Sequence, residues 1–239
     1  MSDILTILKS SYPKYNTKQP STNKILNYRP FTVKEERALL LSKDTGRYSD
    51  FLSTITEIVD RCFSDNAVKI NSRKLPIFDV EYMFLKIRQK SVSEVIKVSF
   101  ACPETKEKIN IEINIEDIEV NTSSQNNKNI KLSNDLIVNM KYPPFEYLIE
   151  NSFKNDEGKI DLFDMVLSSI ESIQTKDQLI QDIPKETINE FIEGLTKQQY
   201  QKILNFFVNI PKLEHSVPYK TSDGVDRKIT FRGIKDFFR

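Results

Sequence analysis

Near Val95 the apolar residues of this chain stop recurring every third or fourth position and begin to alternate, and that change limits what the chain can fold into. Ile96, Val98, Phe100 and Cys102 alternate with Lys97, Ser99 and Ala101. After Pro103-Glu104-Thr105-Lys106, Ile109, Ile111, Ile113 and Ile115 alternate with Asn110, Glu112 and Asn114. Two alternating runs across a short polar turn predict an antiparallel hairpin with one buried face. Helical spacing prevails on both sides of it. The fold class is therefore α+β: a helical N-terminal part, an antiparallel β-hairpin or small-sheet insert, and a helical C-terminal part that ends in a short β-hairpin.

Residues 1–19 are expected as a flexible N-terminal arm. Ile4, Leu5, Ile7 and Leu8 start it as a short amphipathic piece, and Tyr12 and Tyr15 follow in a polar stretch. It is either a mobile tail or an arm that orders on a partner. Residues 20–91 are expected as a hairpin plus a helical part. Pro20-Ser21-Thr22-Asn23 is turn chemistry, so residues 15–19 and 24–28 read as the two sides of a small hairpin. Pro30 pushes Arg29 out of the α region and delivers an extended chain. Thr32-x-x-Glu35 then forms a capping box, and Glu35 and Glu36 suit the positive end of the helix dipole. Ala38 to Leu41 are expected to give that helix a broad apolar face. Phe51, Ile55, Ile58, Val59, Cys62 and Phe63 mark the buried side of a helix over residues 49–63, with Cys62 as core filler. Asp79 is expected to cap a third helix, with Val80, Met83, Phe84 and Ile87 inward and Lys86, Arg88, Gln89 and Lys90 outward.

The β insert is expected over residues 92–141, with strands at 130–132 and 136–140 joining the sheet of the alternating hairpin. Residues 142–212 read as helical: one helix over 145–152, one over 161–173 with Phe163, Val166, Leu167 and Ile170 as its stripe, and one opened by Pro184. A fourth is capped by Thr196-x-x-Gln199 and carries Tyr200, Ile203, Leu204 and Phe207. Residues 213–239 read as two strands around Thr221-Ser222-Asp223-Gly224, then a short docked helix with Phe237 and Phe238.

The residue types needed for most covalent chemistry are missing. His215 is the sole histidine, and Cys62 and Cys102 are the only cysteines, so neither a nucleophilic triad nor a zinc ligand set can be assembled. Five glycines build no phosphate-binding loop. Asp156-Glu157-Gly158 lacks the alternating acids of a calcium loop and reads as a turn. Carboxylates are plentiful, but none forms a recognisable acid–base pair. No catalytic, cofactor-binding or metal residue is expected. Basic clusters at Arg73-Lys74, Lys86 to Lys90 and Lys106 to Lys108 raise a nucleic-acid reading. Each is diluted by acids, and a net charge of +1 supplies no field to draw phosphate or an anionic membrane. Two cysteines without a framework fit a reducing compartment. No run reaches the ~18 apolar residues of a membrane span, and residues 1–8 lack a leader's basic start and cleavage site. The product is expected to stay in the cytoplasm or in an assembly built there.

Several pieces gain meaning as an ordered set: Pro20-Ser21-Thr22, Tyr28-Arg29-Pro30-Phe31-Thr32-Val33-Lys34-Glu35-Glu36, Leu75-Pro76-Ile77-Phe78-Asp79, Tyr142-Pro143-Pro144, Phe191-Ile192-Glu193-Gly194-Leu195-Thr196, Ile210-Pro211-Lys212-Leu213-Glu214-His215 and Gly233-Ile234-Lys235-Asp236-Phe237-Phe238. From about Tyr15 onward the chain resembles a baseplate family of T-even-like contractile-tailed phages, which includes baseplate hub subunits and a related hub assembly catalyst. The resemblance implies a structural or assembly protein of the tail baseplate hub that works through protein contacts without covalent chemistry. It implies a place in the virion tail baseplate after assembly in the host cytoplasm. The expected partners are other hub proteins and tail-tube or tape-measure proteins, within a symmetric assembly and with no membrane. The expected contact residues are Ile4, Leu5, Leu8, Tyr12, Tyr15, Arg29, Phe237 and Phe238. One alternative is an assembly chaperone for hub or tape-measure proteins that is absent from the mature virion; another is a nucleic-acid-binding module. Relatives in this family carry cysteine pairs at the hairpins, which implies a metal knuckle. This chain keeps Cys102 alone and has no cysteine from Tyr219 to Arg227, so the expected cofactor is none and apolar packing is expected to hold both hairpins.

Overall fold

The computed structural model describes residues 2–64, 66, 69–122, 126–154 and 161–237; Phe238 and the Asp156-Glu157-Gly158 turn lie outside them. In chain order the elements are α1 (Ser2–Ser10), β1 (Tyr15–Lys18), β2 (Ile25–Tyr28), α2 (Val33–Asp44), α3 (Tyr48–Cys62), α4 (Ile77–Ser91), β3 (Val95–Ala101), β4 (Lys108–Asn114), β5 (Glu119–Asn121), β6 (Asn129–Ser133) and β7 (Leu136–Met140). They continue with α5 (Phe145–Lys154), α6 (Leu162–Ser169), β8 (Ile170–Thr175), β9 (Leu179–Ile180), α7 (Lys185–Glu193), α8 (Lys197–Val208), β10 (Lys212–Lys220), β11 (Asp226–Arg232) and α9 (Gly233–Phe237). The class is α+β, with small antiparallel sheets. The chain divides into two compact units, one of Met1–Ser72, Phe78–Asn121 and Lys212–Arg239, the other of Arg73–Ile77 and Thr122–Pro211.

In the first unit α4 is buried on nearly every side. Val80, Met83, Phe84 and Ile87 form one buried stripe, and Phe78, Glu81, Leu85 and Gln89 form a second at the same helical spacing. Gln89, expected outward, thus lies inside because it continues the Leu85 stripe. Asp79 does not cap the helix from outside; it sits in the first turn and is fully buried. Its carboxylate accepts hydrogen bonds from Ser21 N at 2.9 Å and Gln19 Nε2 at 2.6 Å, and one from the Ser21 hydroxyl. That fixes the turn between β1 and β2, which pair antiparallel with Tyr15 opposite Tyr28. At the other end of α4, Ser91 Oγ accepts from Phe31 N at 3.0 Å.

The Thr32–Glu35 junction forms as the residues predict. Glu35 Oε2 accepts from Thr32 N and Thr32 Oγ1, each at 2.7 Å, while Arg29 grips the carboxylate with Nη2 at 2.8 Å and Nη1 at 3.1 Å. Glu35 is only 3 % exposed. Burial alone would raise its pKa, but the Arg29 guanidinium and the Thr32 donors outweigh that and hold it at about 2. The apolar face expected at Ala38 to Leu41 does not form. Glu35 and Ser42 lie two turns apart on the inward side of α2, so Leu40 and Leu41 point to solvent. Helix α3 behaves as its spacing predicts, with Phe51, Ile55, Ile58, Val59 and Cys62 buried. Burial pushes the Cys62 thiol up to about 12, as befits core filler.

The alternating runs pair in register: Ile96 opposite Ile113, Val98 opposite Ile111, Phe100 opposite Ile109. Their apolar face joins Leu85, Ile115, Ile118, Leu213, Phe231 and Phe237 in one cluster. Strand β10 pairs with β11 on one side and with β5 on the other. Beyond β11, Glu81 Oε1 accepts from Ile234 N at 3.0 Å and anchors α9. Gly233, at a φ of +61°, stands so close that a Cβ there would lie 2.6 Å from Glu81 Oε1.

In the second unit, β6 and β7 were expected in the sheet of the alternating hairpin; they instead form a separate sheet of order β6-β7-β8-β9. Its third strand occupies residues expected to finish a helix. Ser168 and Ser169 hydroxyls turn back onto Met165 O at 2.9 and 2.8 Å, and Ile170, the expected last residue of the helical stripe, opens β8. Val138 then faces Ile173 and Met140 faces Ile170. These residues pack with Val166 of α6, Ile188 and Ile192 of α7, and Ile203, Phe206 and Phe207 of α8. The Thr196–Gln199 capping box forms as predicted, while Pro184 takes the position just before α7.

Two outcomes follow for stability. Arg29→Ala leaves Glu35 buried without its cation and is expected to cost about 2–4 kcal/mol in urea unfolding, with Arg29→Lys intermediate because an ammonium lacks the two-pronged geometry. Burial raises the Glu81 pKa from 4.5 to about 7, the Ile234 amide pulling weakly the other way. The folded state therefore keeps a proton that the unfolded chain releases, so stability falls as pH rises from about 4.5 to about 7 and is level above, by up to roughly 3 kcal/mol. Glu81→Gln should flatten that slope in denaturation curves taken across the window.

Candidate functional site

The expected contact residues separate into three places. On α1, Ile4, Leu5 and Leu8 are 73 %, 60 % and 49 % exposed, and Ile7 beside them is exposed as well. Positions 4, 5, 7 and 8 cover one side of a helix. The helix ends where the Ser10 and Ser11 hydroxyls donate to Ile7 O and Leu8 O. The nine-residue helix thus presents an exposed apolar stripe from Ile4 to Leu8.

Tyr12 and Arg29 meet after that helix, and Tyr15 opens β1 close by in the chain. The Arg29 guanidinium stands 5.5 Å from the Tyr12 ring centre while it grips Glu35. The Tyr15 ring lies 5.8 Å from Tyr28, and Lys90 Nζ stands 5.7 Å from it. Tyr28 stacks in turn on Phe63 at 5.2 Å. These three residues tie the arm to the first unit. Phe237 sits elsewhere, 2 % exposed, with its ring 6.1 Å from Phe231; its apolar surface is spent inside the first unit.

The tips of the two hairpins, β3–β4 and β10–β11, come together in a way the sequence reading missed. Arg227 lies between them. Its Nε donates to Glu104 Oε2 at 3.0 Å, Nη1 to Asp223 Oδ1 at 2.9 Å, Nη2 to Asp223 Oδ2 at 2.7 Å, and Nη1 also to the Thr221 hydroxyl. Glu107 Oε2 accepts from Ser222 N at 2.9 Å, and the Tyr219 hydroxyl donates to Cys102 Sγ at 3.5 Å. The Arg227 guanidinium and the Thr221 hydroxyl hold the Asp223 carboxyl well below the usual carboxylate range. The Cys102 hydrogen bond, then burial, push Tyr219 up to about 12. Burial opposes ionisation of Cys102, yet its bonds to Thr105 and Tyr219 lower the thiol's pKa overall. A metal knuckle does not fit here. The centre of the cluster is a guanidinium, a permanent cation that repels a metal ion, and no group of three or more metal-binding side chains occurs among the described residues. Apolar packing was expected to hold the hairpins unaided; the structure adds this ionic clasp. The signal for it was in the sequence, as Arg227 follows Asp223 at four residues across a Gly224 turn.

A body stitched by the buried Arg29–Glu35 pair and a hairpin clasp, with an apolar helix exposed, has the makings of a structural component that works by fitting against other proteins. Residues 12–239 match the family model described as T4 bacteriophage base plate protein. The chain belongs to that family and is a structural protein of a phage baseplate, which places it in the virion tail with other phage tail proteins as its surroundings. Neither a curated protein nor a solved structure matches it. Among the described residues no helix is long and apolar enough to cross a membrane.

Replacing Arg227 with Ala should lower Tm by several degrees in thermal unfolding, because it strands Asp223 and Glu104 together. Adding EDTA to the wild-type chain should leave Tm unchanged; a chelator-sensitive Tm contradicts the metal-free clasp.

Proposed function

We propose that this protein is a subunit of the baseplate hub at the tail tip, assembled in the host cytoplasm, and that it acts through protein contacts without covalent chemistry. The observation that carries the proposal is the uncovered apolar side of α1, with Ile4, Leu5 and Leu8 as its anchors. A short amphipathic helix of this kind lies into a groove on a partner, where a few apolar anchors supply most of the affinity. Tyr12, Tyr15 and Arg29 set the angle at which it leaves the body. Family membership supports a neighbour from the phage tail, either another hub protein or a tail-tube or tape-measure protein.

The boundary of α1 makes the test clean. Gln19 and Thr17 are buried in the first unit, so a truncation must stop before them. Deleting residues 2–10 should leave Tm and circular dichroism unchanged while incorporation into baseplates falls at least about tenfold, the loss of roughly one well-buried anchor. Normal incorporation of that truncation overturns the role of the helix. Mass spectrometry of purified particles separates the readings further: a hub subunit is retained, whereas an assembly chaperone for hub or tape-measure proteins is missing.

A further inference from the structure

Helix α2 is amphipathic with a polar side turned inward. Glu35 and Ser42 are buried. Val33 and Leu40 each stand two residues from one of them, which on a helix is nearly the opposite side. Val33, Leu40 and Leu41 are accordingly 80 %, 58 % and 56 % exposed. A buried carboxylate with leucines in solvent inverts the usual arrangement, and the grip of Arg29 on Glu35 turns the helix that way. Two charges share the outward stripe. Arg37 stands one turn after Val33, and Asp44 one turn after Leu40 and Leu41. Both are exposed, and neither has an ion-pair partner among the described residues. Two helical turns separate them, roughly 10 Å along the axis, so they do not pair within one copy.

We propose that this face of α2 pairs with the α2 of a second copy of the chain, antiparallel and across a two-fold axis. The order of residues along the stripe selects that occupant. With the axis between Leu40 and Leu41, Leu40 of each copy faces Leu41 of the other, and Arg37 of each faces Asp44 of the other. A two-fold contact repeats every pairing, so one Arg and one Asp in the sequence become two ion pairs. A parallel alignment sets Arg37 against Arg37 and Asp44 against Asp44, and it also sets the helix dipoles side by side in the same direction. The net charge of +1 raises no repulsion between whole copies. One helix against one helix is a small contact, of the weak class below about 1,200 Å2, so the dimer forms at high concentration and exchanges readily. This surface is separate from the α1 stripe, and the inference does not depend on the hub reading.

Sedimentation equilibrium of the purified full chain across a wide concentration range tests it. The wild type should pass from monomer to dimer as concentration rises. Arg37→Asp or Asp44→Arg alone sets like charges opposite one another and should weaken the dimer by about tenfold or more, whereas the two together restore the pairing and should bring it back to within about threefold of wild type. Both positions are exposed, so Tm should stay unchanged in each variant. A second measurement needs no charge reversal. Leu40→Cys should form disulfide-linked dimers under mild oxidation, because the axis passes beside it. Val33→Cys should not, because the pairing puts the two copies of position 33 roughly 22 Å apart along the helices. The native Cys62 and Cys102 are buried, so the added thiol is the one that links. A chain that stays monomeric throughout, a double charge swap that fails to restore the dimer, equal linking at 33 and 40, or a dimer that is lost when residues 2–10 are deleted overturns the proposal. These measurements need no phage, so their outcome and that of the α1 incorporation test stand apart.

Discussion

Two buried carboxylates on α4 decide where the early and late segments of the first unit go. A carboxylate taken out of water is costly unless donors meet it. Asp79 finds its donors on the turn between β1 and β2, and Glu81 finds one at the start of α9. They are two residues apart, so they leave the helix on nearly opposite sides. One holds a segment from the beginning of the chain and the other a segment from its end, across sequence separations of 58 and 153 residues. The two anchors differ in character. Asp79 takes three donors, whereas Glu81 takes one and carries a raised pKa, so the α9 end is the one whose hold depends on protonation near neutral pH.

The same economy governs the surface. Polar locks at Arg29–Glu35 and at Arg227 fix the junction after β2 and the tips of the hairpins, while α1 carries its apolar residues exposed. In the proposed role a neighbouring tail protein covers that stripe.

Much of this was legible from residues and some of it was not, for identifiable reasons. The alternating hairpin, the α3 stripe and both capping boxes depend on neighbours within a few positions, and they form as read. The α2 face was misjudged because Ala38 to Leu41 look apolar in any direction; only the ion pair of Glu35 with Arg29 shows which side turns inward. The strand at Ile170 reads as helix because the stripe of Phe163, Val166, Leu167 and Ile170 fits a helical period up to the residue where the serines turn the chain. Phe237, an expected contact residue, packs on Phe231, a partner that an apolar terminus does not show in one dimension.

By itself the sequence determined the α+β class, the positions of most helices and the register-competent alternation of the central hairpin. These are consequences of local periodicity, capping and composition, which need no knowledge of what lies opposite. The tertiary structure alone decided that β6 and β7 leave the central hairpin for a sheet of their own, that Arg227 joins the hairpin tips, and that α1 stays uncovered while Phe237 does not. Those outcomes turn on which distant group satisfies a buried charge or covers an apolar side, and burial is a property of the folded whole that no local pattern encodes.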